Sequence, residues 1–254
     1  MKTIFIIILA LFTISVNQIN AQNNKKDETE LANYRVHIFP DAFLVGTFSD
    51  YLGRYFYIEK DTQIDRYAPN EKSLAKYISF FISNNYKIKN EIVVKNDNTL
   101  ELYIPNLAKR LNTSFYLENG SLTENKFVTE EEKLSFLLGV YYRNGEQLKD
   151  NIYQIKLTNA PKQEIIYTLL KELGCEKIIF DSAQNQLPQT FKFYFVATPK
   201  MVKYFDYLKQ EKAQLTFESM SFIDDSNKDF EATNKKNEKI KKELIKNLEF
   251  IFSE

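Results

Sequence analysis

Between Asn151 and Glu218 the hydrophobic pattern switches repeatedly between period two and period 3.6, and this alternation constrains the fold more than any other stretch. "NIYQIKLT" reads as a strand. Pro161 opens a helix with Ile165, Ile166, Leu169, Leu170 and Leu173 inside, and Gly174 ends it. "KIIFD" and "TFKFYFVA" are strands, the second alternating Phe191, Phe193 and Phe195 with polar or smaller neighbours. Thr198 caps a second helix with Pro199 at its first position, where the missing N–H would have no intrahelical partner anyway. Met201, Tyr204, Phe205 and Leu208 form its inner face, and "QLTFE" reads as a closing strand. The resulting order, β-α-β-β-α-β over 146–220, is ferredoxin-like: two right-handed crossovers around one antiparallel sheet. Pro161-Lys162 with Leu170-Lys171-Glu172 echoes Pro199-Lys200 with Leu208-Lys209-Gln210.

The preceding region, 34–145, reads as α+β with a mixed antiparallel sheet. "YRVHIF", "FLVGTF" and "RYFYIE" are short aromatic and β-branched runs that predict strands, separated by Pro40, Asp41, Asp50 and Gly53. Pro69-Asn70 opens a helix with Leu74, Ile78, Phe81 and Ile82 on one face. "EIVVKNDNTLELYI" is a hairpin turning at Asn96 to Asn98, and "PNLAKRLN" a short helix. Thr129 and Glu132 form a capping box that starts another helix, with Leu134, Leu137, Leu138 and Tyr141 inside and Asn144-Gly145 as its stop. A polar linker then leads through 221–254 to a C-terminal amphipathic helix, with Ile240, Leu244, Ile245, Leu248, Ile251 and Phe252 on one face and lysines on the other.

The first residues set one cation, Lys2, before the apolar run Ile4 to Phe12, and a polar stretch leads to Ala21. That layout predicts a cleaved signal peptide over 1–21 and a polar leader over 22–33, with no transmembrane segment left after cleavage. The expected location is exported, periplasmic or extracellular. Cys175 is the single cysteine, so no internal disulfide can form, and its address between a helix-ending glycine and a strand is that of a small buried side chain. The 34 basic and 34 acidic residues cancel, which at the level of the whole chain argues against a nucleic-acid partner.

Residues 137–145, "LLGVYYRNG", resemble the LAGLIDADG homing endonuclease motif at its first residue and at its first and last glycines. In that family the acid before the final glycine holds the cleaving metal ion. Asn144 stands there in this sequence, and its neutral side chain is by itself a poor ligand for a divalent cation. With the neutral chain and the expected export, the nuclease reading is set aside. The 146–220 segment is similar in layout to the sporulation-related repeat of bacterial envelopes, whose members bind glycan strands, although that family's glycines near the first strand are absent. Asp225, Asn227 and Asp229 have calcium-loop spacing, but Phe230 and Lys236 occupy the places of the turn glycine and the bidentate glutamate. No serine elbow or phosphate loop is present. His37, the only histidine, has no local ligand companions, and neither it nor Cys175 sits in a nucleophile motif.

No catalytic residue, metal site or cofactor is therefore expected. The candidate binding residues are Asp50, Tyr51, Arg54 and Tyr55, aromatic and hydrogen-bonding groups gathered around Gly53. The expected function is non-catalytic binding of an unidentified envelope component, whether protein, peptide or glycan. The alternatives are a secreted hydrolase using carboxylates such as Asp41, Asp50 or Glu59 brought together by the fold, and an envelope scaffold subunit.

Overall fold

Two helices buried on every side form the centre of the molecule. In α1 (Pro40–Thr47) all residues from Ala42 to Thr47 are buried, and in α4 (Glu130–Asn144) all from Leu134 to Tyr142 are buried. The computed structural model describes residues 34–54, 59–183, 188–224 and 230–253. The expected signal peptide, the polar leader, Tyr55 and the calcium-spaced Asp225, Asn227 and Asp229 lie outside the described residues. Residues His37–Glu254 form one compact unit.

The helices cross at a reciprocal glycine contact. A Cβ on Gly46 would lie 2.1 Å from the carbonyl oxygen of Phe136, and one on Gly139 would lie 2.2 Å from that of Phe43. Only hydrogen fits at either position, so each glycine seats the carbonyl three residues before the other. Around this crossing α1 leads to β1 (Gln63–Tyr67), α2 (Lys72–Tyr86), β2 (Ile92–Val94), β3 (Leu100–Tyr103) and α3 (Pro105–Phe115). Helix α4 leads to β4 (Gly145–Lys149), β5 (Ile152–Thr158), α5 (Gln163–Glu172), β6 (Ile178–Ala183), β7 (Thr190–Val196) and α6 (Pro199–Tyr207). Among the described residues the first half runs α-β-α-β-β-α and the second α-β-β-α-β-β-α, so the two orders match except that one strand precedes α2 and two precede α5. Ala68-Pro69 stands before α2 as Ala160-Pro161 does before α5, and Pro105 opens α3 as Pro199 opens α6. The proline echo within the second half is therefore better matched across the halves.

The fold is α+β, with two antiparallel sheets and eight helices among the described residues. The first sheet has the order β1-β3-β2 and the second β4-β5-β7-β6. On the inner face of the second sheet, the Tyr153 ring lies 5.6 Å from Tyr141 of α4 and 5.0 Å from Phe205 of α6. Its outer face is partly covered by the C-terminal amphipathic helix, α8 (Phe230–Ser253), after α7 (Lys209–Asp224). Leu244, Leu248 and Phe252 pack there on Leu148, Ile152, Ile179, Tyr194 and Val196.

Several sequence expectations need correction. Tyr34–Phe39 has no regular structure, and "FLVGTF" lies in and just after α1. A short apolar run does not by itself separate a strand from a buried helix, and Pro40 marks the helix start that the strand reading took for a break. "QLTFE" belongs to α7. Leu215 points inward there while Phe217 stays 68% exposed, so their alternation with polar neighbours is not that of a sheet. Strand β4, ahead of the segment, takes the outer place beside β5 that the closing strand would have filled. The helices starting at Pro69, Pro105, Thr129 and Pro199 stand as read, and the Thr129–Glu132 capping box forms in both directions, with bonds of 3.2 and 2.9 Å.

Candidate functional site

The C-terminal ends of α1 and α4 open onto a polar cleft of about 340 Å³, whose walls include Ser49, Tyr51, Arg66, Thr99 and Arg143. Carbonyls at a helix C-terminus favour cations, and those of α1 meet two, Lys162 and Arg143, with Arg54 beside them. Lys162, fully buried, donates to the carbonyl oxygens of Gly46 (3.1 Å) and Phe48, with Asp50 at 3.4 Å. Arg143 donates to Thr47 O (2.9 Å) and Asp65 (2.6 Å), and grips Glu71 through two bonds of 2.8 Å. Arg54 lies 3.5 Å from Asp65, bonds the Asn112 side chain at 2.9 Å and rests on the Phe48 ring at 3.9 Å. Three cations thus face three carboxylates, a balance that offsets the cost of burying charge.

Burial works against the charge on both basic groups at the centre. For Lys162 burial prevails over the attraction of Asp50 and its pKa is lowered. For Arg143 burial is outweighed by Glu71 and Asp65, and its pKa is raised. Helix α4 has its own lysine cap, since the half-buried Lys212 of α7 donates to Tyr142 O at 3.0 Å.

The four residues singled out from the sequence separate here. Asp50 is buried and accepts from the Tyr116 hydroxyl at 3.0 and 3.1 Å, and Arg54 is a buried anchor, so neither is the surface ligand group expected. Tyr51 alone remains at the surface, 37% exposed, and Tyr55 lies outside the described residues. The carboxylates of the hydrolase reading do not converge. Asp41 sits at the opposite end of α1 from Asp50, bonded by Tyr86 at 2.6 Å and paired with Arg110, and Glu59 accepts from Thr62 at 2.9 Å. Among the described residues no three His, Cys, Asp or Glu side chains are placed to hold a metal ion. Cys175 is buried against Met201, and burial pushes its thiol up to about 11. His37 packs edge-on against Phe39, its carbonyl accepting from Tyr204.

A second feature was missed from the sequence. On the outer face of the second sheet Lys156 stands directly opposite Lys192, in the row next to Gln154 and Tyr194. Asp181 on the neighbouring strand lies 3.6 Å from Lys192. At the other end of this face Lys149 pairs with Glu249 and Lys241 with Glu146, tying α8 to β4. From Lys235 to Glu243 helix α8 is exposed all round. Among the described residues no helix is long and apolar enough to cross a membrane.

No protein-family model matches the sequence, and no curated protein does. Among solved structures, the chain is similar to I-DmoI in complex with DNA and calcium, at 20% identity and a TM-score of 0.42 over 65% of this chain and 86% of that one. It is similar to the N-terminal LAGLIDADG domain of WhiA at 14% identity and a TM-score of 0.41, over 70% of this chain and 85% of that one. Full-length WhiA from Thermatoga maritima gives 14% and 0.43, over 74% of this chain and 64% of that one. Against these likenesses, one of them to a DNA-bound protein, the expectation of a secreted or periplasmic envelope binder without a nucleic-acid partner is corrected. The exclusion of a nucleic-acid partner rested on a sum over the whole chain, and a sum of charges does not describe any one face.

Proposed function

We propose that the protein binds a nucleic-acid strand without cutting it, holding the phosphates on the outer face of the second sheet and along α8. The observation that carries this reading is the Lys156–Lys192 pair, since like charges directly opposite on neighbouring strands cost stability and are relieved by an anion. Lys149 shares the face, and the stretch of α8 from Lys235 to Glu249 adds six lysines. Against these nine cations stand Glu146, Asp181, Glu238, Glu243 and Glu249, which leaves a local excess of positive charge in a chain of zero net charge. Phosphate contacts by lysine release counterions and supply affinity that does not depend on sequence. The reading without cutting is supported at the helix-pair end, where Asp50, Asp65 and Glu71 are each engaged by a cation of the chain itself.

The test is fluorescence anisotropy with a labelled single-stranded DNA across a salt series. Binding should weaken steeply with salt, and the double variant Lys156→Ala, Lys192→Ala should weaken it further while reducing the salt slope by roughly 1.4, the value for two phosphate contacts on a single strand. The DNA should stay intact with magnesium present. Binding insensitive to salt, or unchanged in the double variant, would overturn the reading.

A further inference from the structure

Resting on that reading, we infer that the loop from Ser49 to Arg54 contacts the bases of the bound strand, with Tyr51 stacking on an unpaired nucleobase and Leu52 flanking it. The inference starts from placement. Tyr51 lines the cleft that holds Arg66 and Thr99 of the first sheet's side, and also an adjoining one of about 370 Å³ that reaches Thr158 of β5. Thr158 lies on the same face as Lys156, since alternate residues of a strand share a face. The ring therefore stands where a strand held by the second sheet would pass toward the first.

The backbone supplies a second, independent observation. Asp50 and Leu52 have φ of 50° and 57°, and Gly53 has φ of 99°. Aspartate tolerates the left-handed region and glycine is at home there, but a leucine there is strained. Three backbone bonds hold the loop in place: Leu52 N–H to Asn159 O at 2.8 Å, Gly53 N–H to Asp50 O at 3.0 Å and Arg54 N–H to Gly120 O at 3.1 Å. The buried side chains of Asp50 and Arg54 anchor its two ends. The strain does not bring Leu52 inside, since its side chain stays 48% exposed, and Tyr51 keeps 37% of its surface open. A strained loop that leaves an aliphatic and an aromatic side chain partly open to solvent is preorganised for a ligand. An aromatic face beside lysines is the combination that binds a single strand, the ring taking a base of any identity and the cations taking phosphates.

The experiment uses the full chain and a short single-stranded DNA carrying 2-aminopurine, read by anisotropy and by quenching of the base's fluorescence. Wild type should quench and bind. Tyr51→Ala should bind roughly tenfold more weakly and lose the quenching, with an unchanged salt slope, because the ring touches no phosphate. Tyr51→Phe should retain both properties, and its thermal midpoint, together with that of Tyr51→Ala, should match wild type. Lys156→Ala should do the reverse of Tyr51→Ala, lowering the salt slope and keeping the quenching. Full affinity and quenching in Tyr51→Ala overturns the inference while leaving the phosphate-binding reading intact, and loss of quenching in Tyr51→Phe overturns stacking in favour of a hydroxyl contact. A duplex bound as tightly as the single strand overturns the unpaired base. Wild type that binds no DNA at all overturns the reading underneath as well.

Discussion

Gly46 and Gly139 set the distance between the two central helices, and a single methyl group tests this. Either Gly46→Ala or Gly139→Ala places carbon within 2.2 Å of a backbone oxygen, which no side-chain rotation can relieve. Each variant should lose at least about 2 kcal/mol in urea unfolding, and the double variant less than the sum, because both act on one contact. Full additivity would show that the helices do not meet there. The motif around Gly139 was readable, since Phe-Leu-Leu-Gly stands out in a chain with few glycines. Its counterpart Phe43-Leu44-Val45-Gly46 was read as a strand, and with it the crossing was lost. Among the candidate site residues, Tyr51 keeps an exposed ring, whereas Asp50 and Arg54 are consumed by Lys162, Tyr116, Asp65 and Asn112. Most of those partners lie far along the chain, where no local pattern reaches.

At the scale of elements, what was legible follows from where the determinants sit. Caps are local: Thr129 with Glu132, and the prolines at 69, 105 and 199, fix helix starts within a few residues, and these readings stand. Identity as helix or strand in α1 was decided by what packs on every side of it, and in α7 by the contacts of its one inward face, neither of which a short window contains. The outer face of the first sheet makes a pH prediction. Glu101 of β3 is buried there and accepts from Arg66 (2.9 and 2.7 Å) and Tyr103 (2.6 Å), with Lys95 at 3.0 Å. Burial alone would raise its pKa, but the bonds from Tyr103, Lys95 and Arg66 outweigh it and hold the carboxyl down at about 2. A lowered acid stabilises the fold fully above the ordinary value of 4.5 and loses that contribution as pH falls toward about 2. Wild type should therefore be more stable than Glu101→Gln at neutral pH, with the gap closing across that window. A gap independent of pH in denaturant titrations would refute the assignment.

For the whole molecule, α8 is attached differently from the rest. Of its described side chains only Leu248 is buried, with Leu244 and Phe252 partly so, and its ties to β4 are ion pairs at the surface, each worth little. Ending the chain at Asp224 should therefore leave a cooperative thermal transition with a modestly lower midpoint. The same truncation removes six of the nine lysines of the proposed surface, so affinity for single-stranded DNA and its salt slope should both drop. A truncated chain that binds as tightly as the full one would shift the surface to the sheet alone.

The reciprocal seating of carbonyls at the crossing also bears on how such a chain can vary. Its halves resemble each other in element order but share little wording. At the crossing they constrain each other: a bulkier residue in one half cannot be repaired from within that half, because what it strikes is the backbone of the other.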